Sequence, residues 1–150
     1  MHIFLMTALA VFVLDRLTKA VAVGRLSWSE SVRILPNIFH LTLVRNTGTA
    51  FGMFKDYTTI FVILTVVALS YIAYYIVKSK LLDPALNIAL GLIAGGTFGN
   101  FIDRVKFGYV VDFLDFRVWP VFNAADSAIS VGVAILAWKL LFARGGKGSS

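Results

Sequence analysis

The sequence predicts an all-α polytopic membrane protein with four transmembrane helices. Composition is the first reason: 59% of the 150 residues are hydrophobic, 15% are charged, and mean hydropathy is +0.84. A water-soluble domain of that length cannot hide so much apolar surface, whereas a bilayer accepts it. Segmentation is the second. Four stretches, 3–24, 57–77, 84–102 and 118–138, have about the length that crosses a hydrocarbon core, roughly 20 apolar residues. As buried helices of a soluble bundle they would leave too little polar sequence to cover them. The chain is therefore expected to be a single membrane-embedded domain over 1–150.

The first stretch is interrupted by Asp15, Arg16 and Lys19. An N-terminal apolar segment can be a cleaved signal peptide. Here Met1-His2 supplies no basic lead-in, the charges lie in the second half, and no convincing cleavage site follows, so it reads as a retained helix. Asp15 and Lys19 stand i, i+4 on one helical face and can pair. They read equally well as a structural tie to the bundle and as a chemical element.

The loop 25–56 comes next. Pro36-Asn37 signals a turn, and IFHLTLV at 38–44 reads as a strand with period-two character in its second half. RNTG at 45–48 closes it as a turn, for which Asn and Gly are common choices. Gly48 and Gly52 bracket Ala50-Phe51, so this loop is expected to fold back onto the membrane surface.

The stretch 57–77 carries no charge, and 78–83 is long enough only for a turn. In 84–102, the run AGGTFGN at 94–100 gives a helix face with very little side chain. Gly95, Gly96 and Gly99 there permit close helix contact, or the approach of a substrate to the backbone. Asn100 and Arg104 are again i, i+4, with Asp103 beside them. In the last stretch Trp119-Pro120 belongs at an interface. Asn123 is a natural helix cap with Asp126 three residues on, the spacing of a capping box. The Gly- and Ser-rich tail 144–150 predicts no element.

Four crossings put both termini on one side and the loops 25–56 and 103–117 together on the other. Basic density near the helix ends favours termini in the cytoplasm. A net charge of +6 suits anionic lipid headgroups, and no basic, aromatic-interleaved surface exists for nucleic acid. The absence of cysteine excludes disulfides, thiol nucleophiles and cysteine-ligated metals.

The carboxylates carry the chemistry. Only eight acidic side chains occur, and four fall within 103–126: Asp103, Asp112, Asp115 and Asp126. VVDF at 110–113 surrounds a single carboxylate with apolar residues, a poor pattern for an idle surface loop. The 14 residues from Asp112 to Asp126 let the chain go out, turn and return. Two carboxylates sharing a semi-apolar site cannot both ionise comfortably; one keeps a proton while the other acts as base. Such a dyad polarises a peptide carbonyl and activates water without metal or covalent intermediate. Asp126 also has the plainer reading of a helix cap. No serine is motif-placed, and neither His2 nor His40 has metal-ligand neighbours of the HExxH kind, so no metal or cofactor is expected.

Asp15 with Lys19, RNTGTAFG at 45–52, GNFIDR at 99–104, VVDF at 110–113 and FNAAD at 122–126 resemble the bacterial lipoprotein (type II) signal peptidases. The blocks run in family order from about residue 13 to 133, on a four-span frame. The resemblance implies a membrane aspartic endopeptidase that removes the signal peptide of diacylglyceryl-modified prolipoproteins, without cofactor and as a monomer amid membrane lipid. It makes Asp112 and Asp126 the catalytic pair. Asn46, Asn100, Arg104 and Asn123 become the residues that line or organise the site; Asp15, Lys19 and Asp103 become those that keep its shape. It implies a small β cradle between helices 1 and 2 on the extracytoplasmic face of the inner membrane, with the active site toward that face. Thr49 and Thr97-Phe98 depart from the usual pattern and bear on substrate preference. A small transporter, or a scaffold using Asp126 only as a cap, are the other readings. A transport route needs polar residues through its full depth, and here they gather near one boundary.

Overall fold

A computed structural model describes residues 1–48, 58–79 and 83–142. Four helices, α1 (His2–Arg25), α2 (Thr58–Lys78), α3 (Pro84–Phe107) and α4 (Ala124–Phe142), combine with three strands, β1 (Ser31–Leu35), β2 (Phe39–Asn46) and β3 (Val110–Asp115). The bundle is built around α3, which packs against α1 and α4 along its length and more lightly against α2. Glycine spacing explains the intimacy. Gly91, Gly95 and Gly99 fall four apart on the side facing α1, where added Cβ atoms would meet Phe4 O at 2.8 Å, the Ala8 carbonyl, and Asp15 Oδ2 at 2.5 Å. Gly96 turns the other way, with Ala125 O of α4 2.5 Å from its would-be Cβ, and Gly132 of α4 returns the fit against Ala89 O at 2.7 Å. Small residues let the backbones meet, and packing replaces the hydrophobic drive that lipid cannot supply.

Helix ends follow local chemistry. Asp83 caps α3, its Oδ1 accepting from Leu86 N at 3.0 Å, with Pro84 in the first turn. Gly108 stops it in the left-handed region at φ 78°, its N–H donating to Arg104 O. At the start of α4 the capping box is reciprocal: Asp126 N donates to Asn123 Oδ1 at 2.9 Å and Asn123 N to Asp126 Oδ2 at 3.2 Å.

Three helices, α2, α3 and α4, are long and apolar enough to cross a membrane. The fourth expected crossing, α1, is as long but carries Asp15, Arg16, Lys19 and Arg25. Large side chains such as Leu9, Val67 and Leu141 stand outward from α1, α2 and α4.

The sheet is antiparallel in the order β1-β2-β3. Pro36-Asn37 makes the expected turn between β1 and β2, with Asn37 at φ 60°. The predicted strand 38–44 is found as β2, extended through Asn46. Leu43, Val111 and Phe113 form a core with Ala22 of α1, which seats one face of the sheet on that helix.

The expected small sheet between α1 and α2 is present, and β3, from the α3–α4 connection, adds a third strand to it. Two expectations need correction. α3 ends at Phe107 rather than 102, so Asp103 and Arg104 lie in its last turns instead of in a loop. α4 begins at Ala124, not 118: Phe113 N and Leu114 N both donate to Phe122 O, and Phe122 N to Leu114 O, drawing the chain back along β3 before the helix starts. The expected fold-back at Ala50-Phe51-Gly52, Thr49, and the tail 144–150 lie outside the described residues.

Candidate active site

The C-terminal ends of α1 and α3 and the N-terminal end of α4 meet under the sheet, and Asp103, Asp112 and Asp126 converge there, while Asp115 pairs apart with Thr42 and Arg117. Asp112 projects from the middle of β3, opposite Val44 in register, and is 1% exposed. Its Oδ2 accepts from Asn46 Nδ2 at 2.8 Å and its Oδ1 from Asn123 Nδ2 at 2.6 Å. Asp126 sits in the first turn of α4, half-buried, its Oδ1 accepting from Asn100 Nδ2 at 2.8 Å. Asn123 therefore joins the pair: its side chain holds Asp112 while its backbone N–H holds Asp126.

Asn46 resolves the double reading of RNTG. Its Oδ1 accepts from Gly48 N at 3.0 Å, the local turn, and this aims its Nδ2 at Asp112. Turn and site are one feature. Behind it, Arg45 is stacked over the rings of Trp28 (4.3 Å to the centroid) and Tyr109 (5.3 Å), which fastens the end of β2.

Beneath the dyad lies a four-charge cluster. Lys19 Nζ spends its three protons on Asp103 Oδ2 at 2.8 Å, Asn100 Oδ1 at 2.8 Å and Asp15 Oδ1 at 3.0 Å. Asp15 Oδ1 also accepts from Ala125 N, tying α1 to the head of α4. Asn100 carries the order upward: its oxygen takes Lys19 and Asn123, which orients its amide nitrogen to Asp126. The i, i+4 pair seen in the sequence is present, but Asp103 and Arg16 complete it. Arg16 was not singled out as a site residue; its partners on α3 lie more than 80 residues away in sequence, and no local pattern marks them.

Arg104 takes a different direction. Its guanidinium lies 5.2 Å from the Phe61 ring centroid of α2, near enough to Asp126 and Asp112 to act on both electrostatically. Gly95, Gly96 and Gly99 are buried in close contacts with α1 and α4, the packing role that their size allows.

Two aspartates of the same strand have opposite electrostatics. Burial pushes the Asp112 carboxyl up to about 7, and the nearby Asp126 charge adds to the effect. For Asp115 burial acts in the same direction, but the Thr42 hydroxyl and the Arg117 backbone and side chain outweigh it and hold the carboxyl below the ordinary range. Asp112 is poised to keep a proton near neutral pH; Asp115 is a plain ion-pair partner. Among the described residues no three His, Asp or Glu side chains converge as a set of metal ligands.

The family described as Signal peptidase (SPase) II matches residues 7–142. The lipoprotein signal peptidase of Moorella thermoacetica is 46% identical over 149 residues, covering 97% of each chain. That of Halothermothrix orenii is 44% identical over 128 residues, 85% of this chain and 88% of its own. A solved bacterial membrane enzyme, determined by the in meso method at 2.3 Å resolution, shares the fold with a TM-score of 0.91 at 31% identity, over 98% of this chain and 92% of that one. With sequence match and fold in agreement, the chain belongs to the signal peptidase II family, the lipoprotein signal peptidases.

Proposed function

We propose that Asp112 and Asp126 are the dyad with which this aspartic endopeptidase hydrolyses the peptide bond before the diacylglyceryl-modified cysteine of a prolipoprotein. The observation that carries the assignment is Asn123, whose side chain and backbone hold the two carboxylates together. Asp112, the more deeply buried and the one pushed up to about 7, keeps the shared proton. Asp126, half-buried at the rim, is the one that water reaches.

In the first step Asp126 takes a proton from water as the oxygen adds to the scissile carbonyl, and Asp112 gives its proton to the carbonyl oxygen. In the second, Asp126 protonates the departing amine, the C–N bond breaks, and one hydroxyl of the tetrahedral carbon returns its proton to Asp112. Asn46, Asn100 and Asn123 hold the carboxylates at fixed angles through both steps. Arg104 supplies positive charge beside them.

The fourth helix, α1, completes four crossings. Asp15 and Lys19 are buried, and Arg16 at the edge of the bundle is paired to Asp15 and Asp103, so each charge in the span has its counter-charge. An even number of crossings puts both termini on one side; the basic density near the helix ends favours the cytoplasm for them, which turns the sheet and its dyad toward the extracytoplasmic face, where lipoprotein precursors emerge. One monomeric domain embedded in membrane lipid contains every residue this chemistry uses. The substrate enters sideways from the bilayer with its acyl chains remaining in lipid.

Purified protein in micelles, given a diacylglyceryl-modified precursor, tests the assignment. Asp112→Asn and Asp126→Asn are expected to fold and to lose essentially all cleavage, since an amide keeps the shape and can neither give nor take the proton. Near-native turnover by a folded D112N protein would reject the dyad.

A further inference from the structure

Arg16 occupies a place that the dyad alone does not explain. It stands on α1, one residue from Asp15, with its side chain 27% exposed at the edge of the bundle. Nη1 donates to Asp103 Oδ1 at 2.7 Å; Nη2 donates to Asp15 Oδ2 at 2.7 Å and to the Gly99 carbonyl at 3.1 Å. Nε is buried with no acceptor. The fork is thus held by its terminal nitrogens, bridging two carboxylates from different helices.

Charge counting gives the consequence. Asp15 and Asp103 carry two negative charges, and Lys19 and Arg16 balance them. Asp103 and Asp15 reach the catalytic layer through the backbone N–H groups of Val111 and Ala125, and Lys19 reaches it through the Asn100 side chain that holds Asp126. If Lys19 alone had to neutralise two carboxylates, the cluster beneath the dyad would be left with one net negative charge. With Arg16 in place it is neutral, and the ammonium of Lys19, on the side toward Asn100, remains an attractive field for an ionised carboxylate above it. Among the described residues, the other charged group acting on the dyad is Arg104 of α3, and each aspartate also feels its partner.

We propose that Arg16 is a positioning residue that, by cancelling one charge of the Asp15–Asp103 pair, leaves Lys19 free to favour ionisation of the dyad and so sets the pH at which hydrolysis turns on. The proposal rests on the dyad assignment above. Arg16 does not contact the dyad in this arrangement. It acts through Lys19 and Asn100.

The test is the pH profile of kcat/KM for precursor cleavage in micelles. Arg16→Met keeps much of the bulk and removes the charge; its acid limb is expected to move to higher pH by about half to one pH unit, the size a unit charge 10–20 Å away produces at an effective dielectric of about 20. The alkaline limb, where Asp112 gives up the shared proton, should move the same way, so that R16M approaches native turnover at the optimum of its own shifted profile. Arg16→Lys keeps the charge while losing the planar fork, and its acid limb should stay near the native position. Equal loss at every pH in R16M and R16K, with the limb unmoved, would make Arg16 a structural tie and overturn the proposal.

If R16M is not recovered folded, the double variant R16M/D103N, which removes one charge of each sign, decides. A native acid limb supports charge balance, and a displaced one refutes it. Inactive D112N beside an unmoved R16M limb would sink this proposal and leave the dyad standing; active D112N would sink the dyad itself.

Discussion

Asp112→Asn is expected to make the protein more stable at pH 8.5 and to do so by a smaller margin at pH 5. The reasoning starts from Asp112, whose carboxyl rises from 3.8 in an open chain to about 7 in the fold. A group that binds its proton more tightly when folded favours the fold below its unfolded value. That advantage is lost as pH climbs through the folded value, here between 3.8 and about 7. At ~1.4 kcal/mol for each tenfold change in proton affinity, the ionised Asp112 costs the fold about 4 kcal/mol at high pH. Asparagine is neutral at both pH values and escapes this cost. At pH 5 the folded carboxyl still holds its proton while the unfolded one has mostly lost it, so about 2 kcal/mol of the cost is already present, and the two proteins should coincide only below the unfolded value of 3.8. Thermal unfolding in micelles, followed by tryptophan fluorescence at pH 5 and pH 8.5, reads the difference. A native protein more stable than D112N at pH 8.5, or a gap that does not grow with pH, would refute the view that burial of Asp112 is an energetic load carried for catalysis.

Two further substitutions separate packing from chemistry. A methyl at Gly99 would lie 2.5 Å from Asp15 Oδ2, so Gly99→Ala should destabilise the fold by roughly 1–3 kcal/mol and disturb the charge cluster; an unchanged melting temperature would show that α1 can move away freely. Asn123→Ser should keep a helix cap and lose the amide that holds Asp112, leaving stability within about 1 kcal/mol while cleavage falls at least tenfold, and native cleavage by N123S would show that the bridge between the carboxylates is dispensable.

Local signals were readable wherever one helical or strand period decides the structure. The apolar runs set out four helices to within a few residues at most ends. The i, i+4 spacing of Asp15 and Lys19 foretold a real pair, alternation in 38–44 foretold β2, and Asn123 with Asp126 foretold a capping box, because each interaction closes within a single turn or strand. β3 was missed for a physical reason: VVDFLD is covered on both faces, so it shows no alternation of apolar and polar residues. The end of α3 was misplaced because charges at 103–106 read as an exit from the membrane, while the helix stops where Gly108 takes a left-handed conformation.

By itself, then, the sequence determined a membrane-compatible helical bundle, a surface strand, and the few carboxylates able to do chemistry, through hydropathy, periodicity and residue type. Only the tertiary structure decided which groups face one another. It filled the glycine face of α3 with α1 and α4, sent Arg104 to Phe61, and made Arg16 the counter-charge to two aspartates from different helices. Those outcomes depend on how helices distant in the chain rotate and press together, and short-range spacing holds no record of that rotation.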